Sequence, residues 1–97
     1  MNKINVTDNA FLRQFETEFQ GELAKIEYAQ QERKIFLTKL VVPKEKCTND
    51  FSDAFIKEVL SIISERNISM MPTSPEIVLF IRKNKRYRSM LPIGVRI

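Results

Sequence analysis

An α+β fold, with a mainly antiparallel sheet covered by two α-helices, is predicted by three features of the sequence. Apolar and polar side chains alternate with period two through Phe11–Phe19 and Glu22–Tyr28, an aliphatic run follows at Ile35–Val42, and turn signals at Gln20-Gly21 and Gln30–Arg33 separate them. Two later segments, Asp50–Arg66 and the stretch after Pro75, instead repeat apolar residues at helical spacing. A short apolar run, Ile68–Met71, separates them. Strands followed by helix, strand and helix suit a sheet with helices packed on it.

The elements come in order. Met1–Ala10 is polar, with a short strand or arm around Ile4–Val6. Phe11, Phe15 and Phe19 share a parity, with Gln14, Glu16 and Glu18 facing the other way, so Phe11–Phe19 reads as a half-buried strand. Glu22–Tyr28 places Ala24, Ile26 and Tyr28 on one face. Ile35–Val42 is rich in β-branched and aliphatic residues, as a central strand is, and Pro43 ends it. In Asp50–Arg66, Phe51, Phe55, Val59 and Ile62/Ile63 line one helical face, widened by Ile56 and Leu60, with Asn67 as a left-handed C-cap. Ile68–Met71 is a short buried strand, and Pro72–Pro75 is a corner. Thr73 or Ser74 caps the second helix, with Pro75 at its first position, Glu76 in its first turn and an end near Tyr87. Pro92 and Gly94 punctuate a tail, Ser89–Ile97, with room for one short strand.

The totals bound the function. At 97 residues the chain reads as one domain, residues 1–97, without repeats or linkers. Met1–Ala10 has no signal-peptide core, and no apolar run reaches membrane-spanning length, so a cytoplasmic protein without a membrane partner is expected. Its one cysteine, Cys47, suits a reducing compartment, and the absence of histidine argues against a metal site. It also removes the usual general base near neutral pH. Charge is uneven: Arg82, Lys83, Lys85, Arg86, Arg88 and Arg96 carry six positive charges in Arg82–Ile97 with no acidic residue, and residues 1–81 sum to −2.

The most informative stretch is Val42–Ser52. It joins an apolar strand to an amphipathic helix, and free amides at such a helix start attract anions. Loops that cradle phosphates use glycine, for positive φ and close approach of the ligand. Here the positions hold Thr48, Asn49, Asp50 and Ser52 instead. Those residues suit a well-capped helix start, and Asp50 would compete with a diphosphate for the same amides.

Three stretches together resemble a short branch of the GNAT N-acetyltransferase superfamily, over about Phe15–Tyr87. Phe15–Tyr28 looks like the family's opening hairpin, with its strand-Gly-x-Leu-Ala-x-x-x-Tyr pattern. Ile35–Pro43 looks like the strand that ends Val-Pro before the coenzyme loop. Pro72–Tyr87 looks like the segment Pro-x-Cys-x-x-x-x-x-Tyr-Ile-x-x-(His/Asn)-Pro-x-Tyr. The resemblance implies a GNAT-like fold and acetyl transfer from acetyl-CoA to an amine. The coenzyme loop, Arg-Gly-x-Gly-x-Gly/Ala in the family, falls on Cys47-Thr48-Asn49-Asp50-Phe51-Ser52. With the strand edge Val41–Val42, these six residues are the family-equivalent coenzyme contacts. The arginine has become Cys47 and the glycines Thr48, Asp50 and Ser52. The family's cysteine before the last helix is Ser74, and the strand that reads Thr-His-Thr-Glu-Val-Pro in the family has lost its His and Glu in Thr38–Pro43.

Two functional readings stay open. Loss of the motif argues for a relative weak or inactive in acetyl transfer, with no cofactor; retention of the fold argues for an active acetyl-CoA-dependent N-acetyltransferase. Ser74 and Tyr87 are the candidate catalytic hydroxyls, each with a simpler role as cap and packing residue. Cys47 lacks a histidine partner for nucleophilic chemistry. Lys39 reads as solvent-facing, with an acyl pocket as the alternative. A further alternative is a protein- or anion-binding module using the basic end, where Arg82–Arg88 offers a contact for CoA or an acidic partner. Sequence-specific nucleic-acid binding lacks a motif and has a single interleaved aromatic, Tyr87.

Overall fold

The computed structural model describes residues 4–43 and 49–95. The two hairpins form where the turn signals lie. Gln20 and Gly21, with φ of 51° and 82°, make a two-residue turn of the kind that matches strand twist. It joins β2 (Gln14–Phe19) to β3 (Glu22–Gln31). Glu32, with φ of 53°, turns β3 into β4 (Lys34–Val41). Before them comes β1 (Thr7–Asn9), and after them α1 (Asn49–Glu65), β5 (Ser69–Pro72), α2 (Pro75–Lys83) and a 3-10 helix, Lys85–Met90. The sheet order is β1-β2-β3-β4-β5, antiparallel except for the parallel β4–β5 pair that α1 connects. The GNAT-like α+β expectation holds.

The strand residues of the hydrophobic core are Phe15, Ala24, Ile26, Tyr28, Ile35, Leu37 and Met70. They form one cluster with the apolar faces of both helices: Phe51, Phe55, Ile56, Val59, Leu60 and Ile63 from α1, and Ile77, Phe80 and Ile81 from α2. Fully burying side chains of this size contributes about 1.5–3 kcal/mol each. Asn67, with φ of 58°, ends α1 as the left-handed C-cap expected of it.

Four expectations need correction. The first strand starts at Gln14, not Phe11, because Arg13 takes φ of 57° and the Asn9 side-chain oxygen accepts from the Leu12 amide. This bends the chain through residues 10–13 and leaves Phe11 93% exposed. The N-terminal strand is Thr7–Asn9, while Ile4 and Val6 pack on the core edge. The second helix stops at Lys83, where Asn84 leaves helical geometry and its side chain donates to the Phe80 carbonyl at 2.9 Å. Tyr87 therefore lies on the 3-10 helix. No strand forms in the tail among the described residues, and Gly94, with φ of 88°, turns it.

A bulge sets the geometry of β4. Glu27 pairs with Lys39 but Tyr28 with Leu37, so Thr38 is an extra residue. It reverses the facing of the residues after it, bringing Leu40 rather than Lys39 to the Ile26 side. Among the described residues, no helix is long and apolar enough to cross a membrane.

Candidate functional site

The site arises where β4 parts from β5. Their parallel pairing runs from Lys34–Ser69 to Leu37–Pro72. There the Leu37 carbonyl accepts from the Thr73 amide at 2.9 Å, the Ser74 amide at 3.2 Å and the Thr73 hydroxyl at 3.1 Å. Those bonds hold the corner, and Pro75 at the next position starts α2. Past Leu37, the second edge of β4 has no strand beside it among the described residues.

A cleft of about 570 Å³ opens there. One wall is the strand, Lys39–Val42. A second is the start of α1, through Ser52, Asp53 and Ile56. The third is one face of α2, where Glu76, Leu79, Phe80 and Lys83 recur at three- and four-residue spacing. Leu40, Ile56, Leu79 and Phe80 make the interior apolar. Lys39, Asp53, Glu76 and Lys83 bring charge to its margins.

The sequence-predicted coenzyme residues divide three ways. Val41, Val42 and Ser52 line the cleft, the two valines from the strand and Ser52 from the first turns of α1. Asp50 lies exposed in the first turn of α1. Phe51 is turned into the core, its ring 4.2 Å from Phe19 and 6.0 Å from Phe55 between centroids. Asn49 opens α1, and Cys47 and Thr48 lie outside the described residues.

The two candidate catalytic hydroxyls lie apart from the cleft lining. Ser74 occupies the N-cap position of α2 but is buried, and its hydroxyl donates to Glu76 Oε1 at 2.7 Å rather than capping a backbone amide. Thr73 is likewise no cap, because its hydroxyl serves Leu37. Tyr87 packs its ring 5.5 Å from that of Phe80, and the Arg86 guanidinium lies 5.0 Å from the Tyr87 ring centroid. It borders a separate shallow groove with Lys57, Leu60 and Ser61. Lys39 is exposed, as expected, but because the bulge at Thr38 turns it from the Ile26 side, and it also reaches the cleft margin. Asp53 and Leu79 line the cleft without being marked by the sequence, and Glu76 is the most consequential residue missed in this way. Its signal is present in the helical spacing from Phe80 and Lys83, but a first-turn carboxylate reads equally well as a complement to the helix dipole.

A coenzyme can be tested against these walls in two parts. An apolar slot beside a free strand edge suits a thin arm carrying amides, because the arm can add to the strand as another strand would. The diphosphate end fits less well. The amides at the start of α1 favour an anion, but Asp50 and Asp53 put two carboxylates there. Among the described residues, no group of three or more acidic or cysteine side chains is arranged to hold a metal ion.

Comparison with known proteins agrees with this architecture. No curated protein matches the chain. The family model described as GCN5-related N-acetyl-transferase matches residues 14–90. That span runs from the first residue of β2 to the last of the 3-10 helix and contains every wall of the cleft. The chain belongs to the GCN5-related N-acetyltransferase family.

Proposed function

We propose that this domain is a degenerate N-acetyltransferase, one that keeps the slot for a pantetheine arm but binds acetyl-CoA weakly and transfers acetyl slowly or not at all. The observation that carries this reading is the pair of carboxylates, Asp50 and Asp53, at the start of α1 beside the cleft. Two unit charges about 5 Å apart repel by roughly 3 kcal/mol at an effective dielectric near 20. Salt reduces this to about 1–2 kcal/mol, still a loss of about five- to thirty-fold in affinity. The acid–base groups also support it. The chain has no histidine, the Ser74 hydroxyl is engaged by Glu76, and Tyr87 faces another groove.

One observation favours an active acetyltransferase as the second reading. The open edge of β4 is continuous with a wall carrying Glu76, a carboxylate able to accept the proton of an incoming amine. In that reaction the amine nitrogen bonds to the thioester carbonyl carbon, its proton passes to Glu76, the carbon–sulfur bond breaks, and the departing sulfur takes up that proton to leave as the free thiol.

Titration with acetyl-CoA, followed by amide NMR, separates the two. The degenerate reading expects no saturation below millimolar coenzyme and no turnover across a broad panel of amines. Replacing Asn49, Asp50 and Ser52 together by glycine should then raise coenzyme affinity by about ten-fold. Sub-millimolar saturation with shifts centred on residues 49–52, or turnover abolished by changes in that segment, establishes the active enzyme instead.

A further inference from the structure

We propose that the cleft takes its pantetheine arm from an acidic carrier protein, whose body docks on the basic surface at the end of α2 and on the 3-10 helix. The inference rests on the preceding reading, that the start of α1 holds the coenzyme's diphosphate poorly. An arm borne on a protein presents one phosphodiester, whereas the free coenzyme adds a diphosphate and a ribose phosphate to be placed among carboxylates. The slot is compatible with the first ligand and opposed to the second.

The basic surface meets the slot at Lys83. Lys83 stands at the cleft margin on the same helical face as Leu79 and Phe80. Arg82, Lys85 and Arg86 flank it in the chain and are exposed. Arg86 is held in place: its guanidinium stacks near the Tyr87 ring, and that ring packs against Phe80, a cleft wall. No acidic residue occurs from Arg82 to Ile97. Leu79 is 53% exposed at the cleft lip, an apolar contact that a small anion cannot use and a protein can. Positive charge at the α2 end of an apolar cleft thus fits an acidic protein that delivers a neutral, amide-bearing arm.

The experiment compares four probes on the intact protein by calorimetry and amide NMR: an acidic acyl carrier protein loaded with phosphopantetheine, the same protein without the arm, free pantetheine, and CoA. The loaded carrier should bind at least about ten-fold more tightly than either the unloaded carrier or CoA, with shifts at both Val41–Val42 and Lys83–Arg86. Its affinity should fall steeply between low and physiological salt. The double variant Arg82→Glu/Lys85→Glu, changed at exposed positions, should lose about ten-fold or more for the loaded carrier and leave pantetheine unaffected. Equal binding of loaded and unloaded carrier, or salt- and charge-independent binding, overturns the proposal while weak CoA binding leaves the degenerate reading standing. Sub-millimolar CoA seated at residues 49–52 overturns both.

Discussion

The two edges of β4 have opposite fates. Along β3, pairing persists from Lys34–Gln31 to Val41–Lys25, accommodating the bulge at Thr38. Along β5, it ends at Leu37. The β3 side is further tied across the sheet. Tyr28 donates its hydroxyl to Asp8 Oδ1 at 2.6 Å, Arg66 pairs with Asp8 Oδ2 at 2.7 Å, and the Arg66 guanidinium sits 5.7 Å from the Phe15 ring centroid. That network joins β1, β3 and the end of α1. Nothing comparable spans the other side past the Thr73–Leu37 bonds among the described residues. One strand thus has a sealed edge that gives stability and an edge with no strand beside it past Leu37 among the described residues.

The sharpest test of the boundary is Leu37, fully buried and the last β4 residue paired on both sides. Leu37→Ala should destabilise the fold by about 2–5 kcal/mol, read from urea unfolding midpoints. A cost below about 1 kcal/mol would show that the two sheet halves do not depend on this residue.

On the sealed side, Tyr28→Phe should cost about 1–2 kcal/mol, less than a fully buried charged pair because Arg66 still serves Asp8. The same variant tests a pH dependence. Burial first, and then the hydrogen bond and negative charge of Asp8, push the Tyr28 phenol up to about 12. The folded state therefore favours the protonated phenol. That stabilisation is complete below the unfolded value near 10 and fades as pH rises towards 12. Wild-type protein should lose stability over that window more steeply than the phenylalanine variant, and parallel curves would refute the coupling.

The smallest effect belongs to the hinge of the open side. Thr73→Val removes one donor to the Leu37 carbonyl and leaves two backbone amides in place. A loss of about 0.5–1.5 kcal/mol is expected. If instead the stability is unchanged but amide shifts spread along Lys39–Val42, the hydroxyl sets cleft width rather than fold stability.

The sequence is most legible where local signals and core demands agree. Gln20-Gly21, the apolar face of α1 and Asn67 each specify a conformation that the packed core also requires. It is least legible where side chains bond to distant or unexpected partners. The parity of Phe11 with Phe15 carries no information about Arg13 adopting positive φ. Helical spacing through Tyr87 cannot register Asn84 bonding back to Phe80. Ser74 has the identity of a cap, yet it binds the carboxylate two residues on.

From residues alone come the alternation, the helix faces, the glycine-free loop and the basic end, since each is a local pattern of side-chain type. Whether Val41, Val42 and Ser52 share a cleft with Glu76 and Lys83 is settled only in three dimensions. That outcome depends on where a parallel strand pair separates. At that point three donors from a segment far along the chain meet at the Leu37 carbonyl, bonds that no periodicity records, and the bulge in the β3 pairing follows at Thr38.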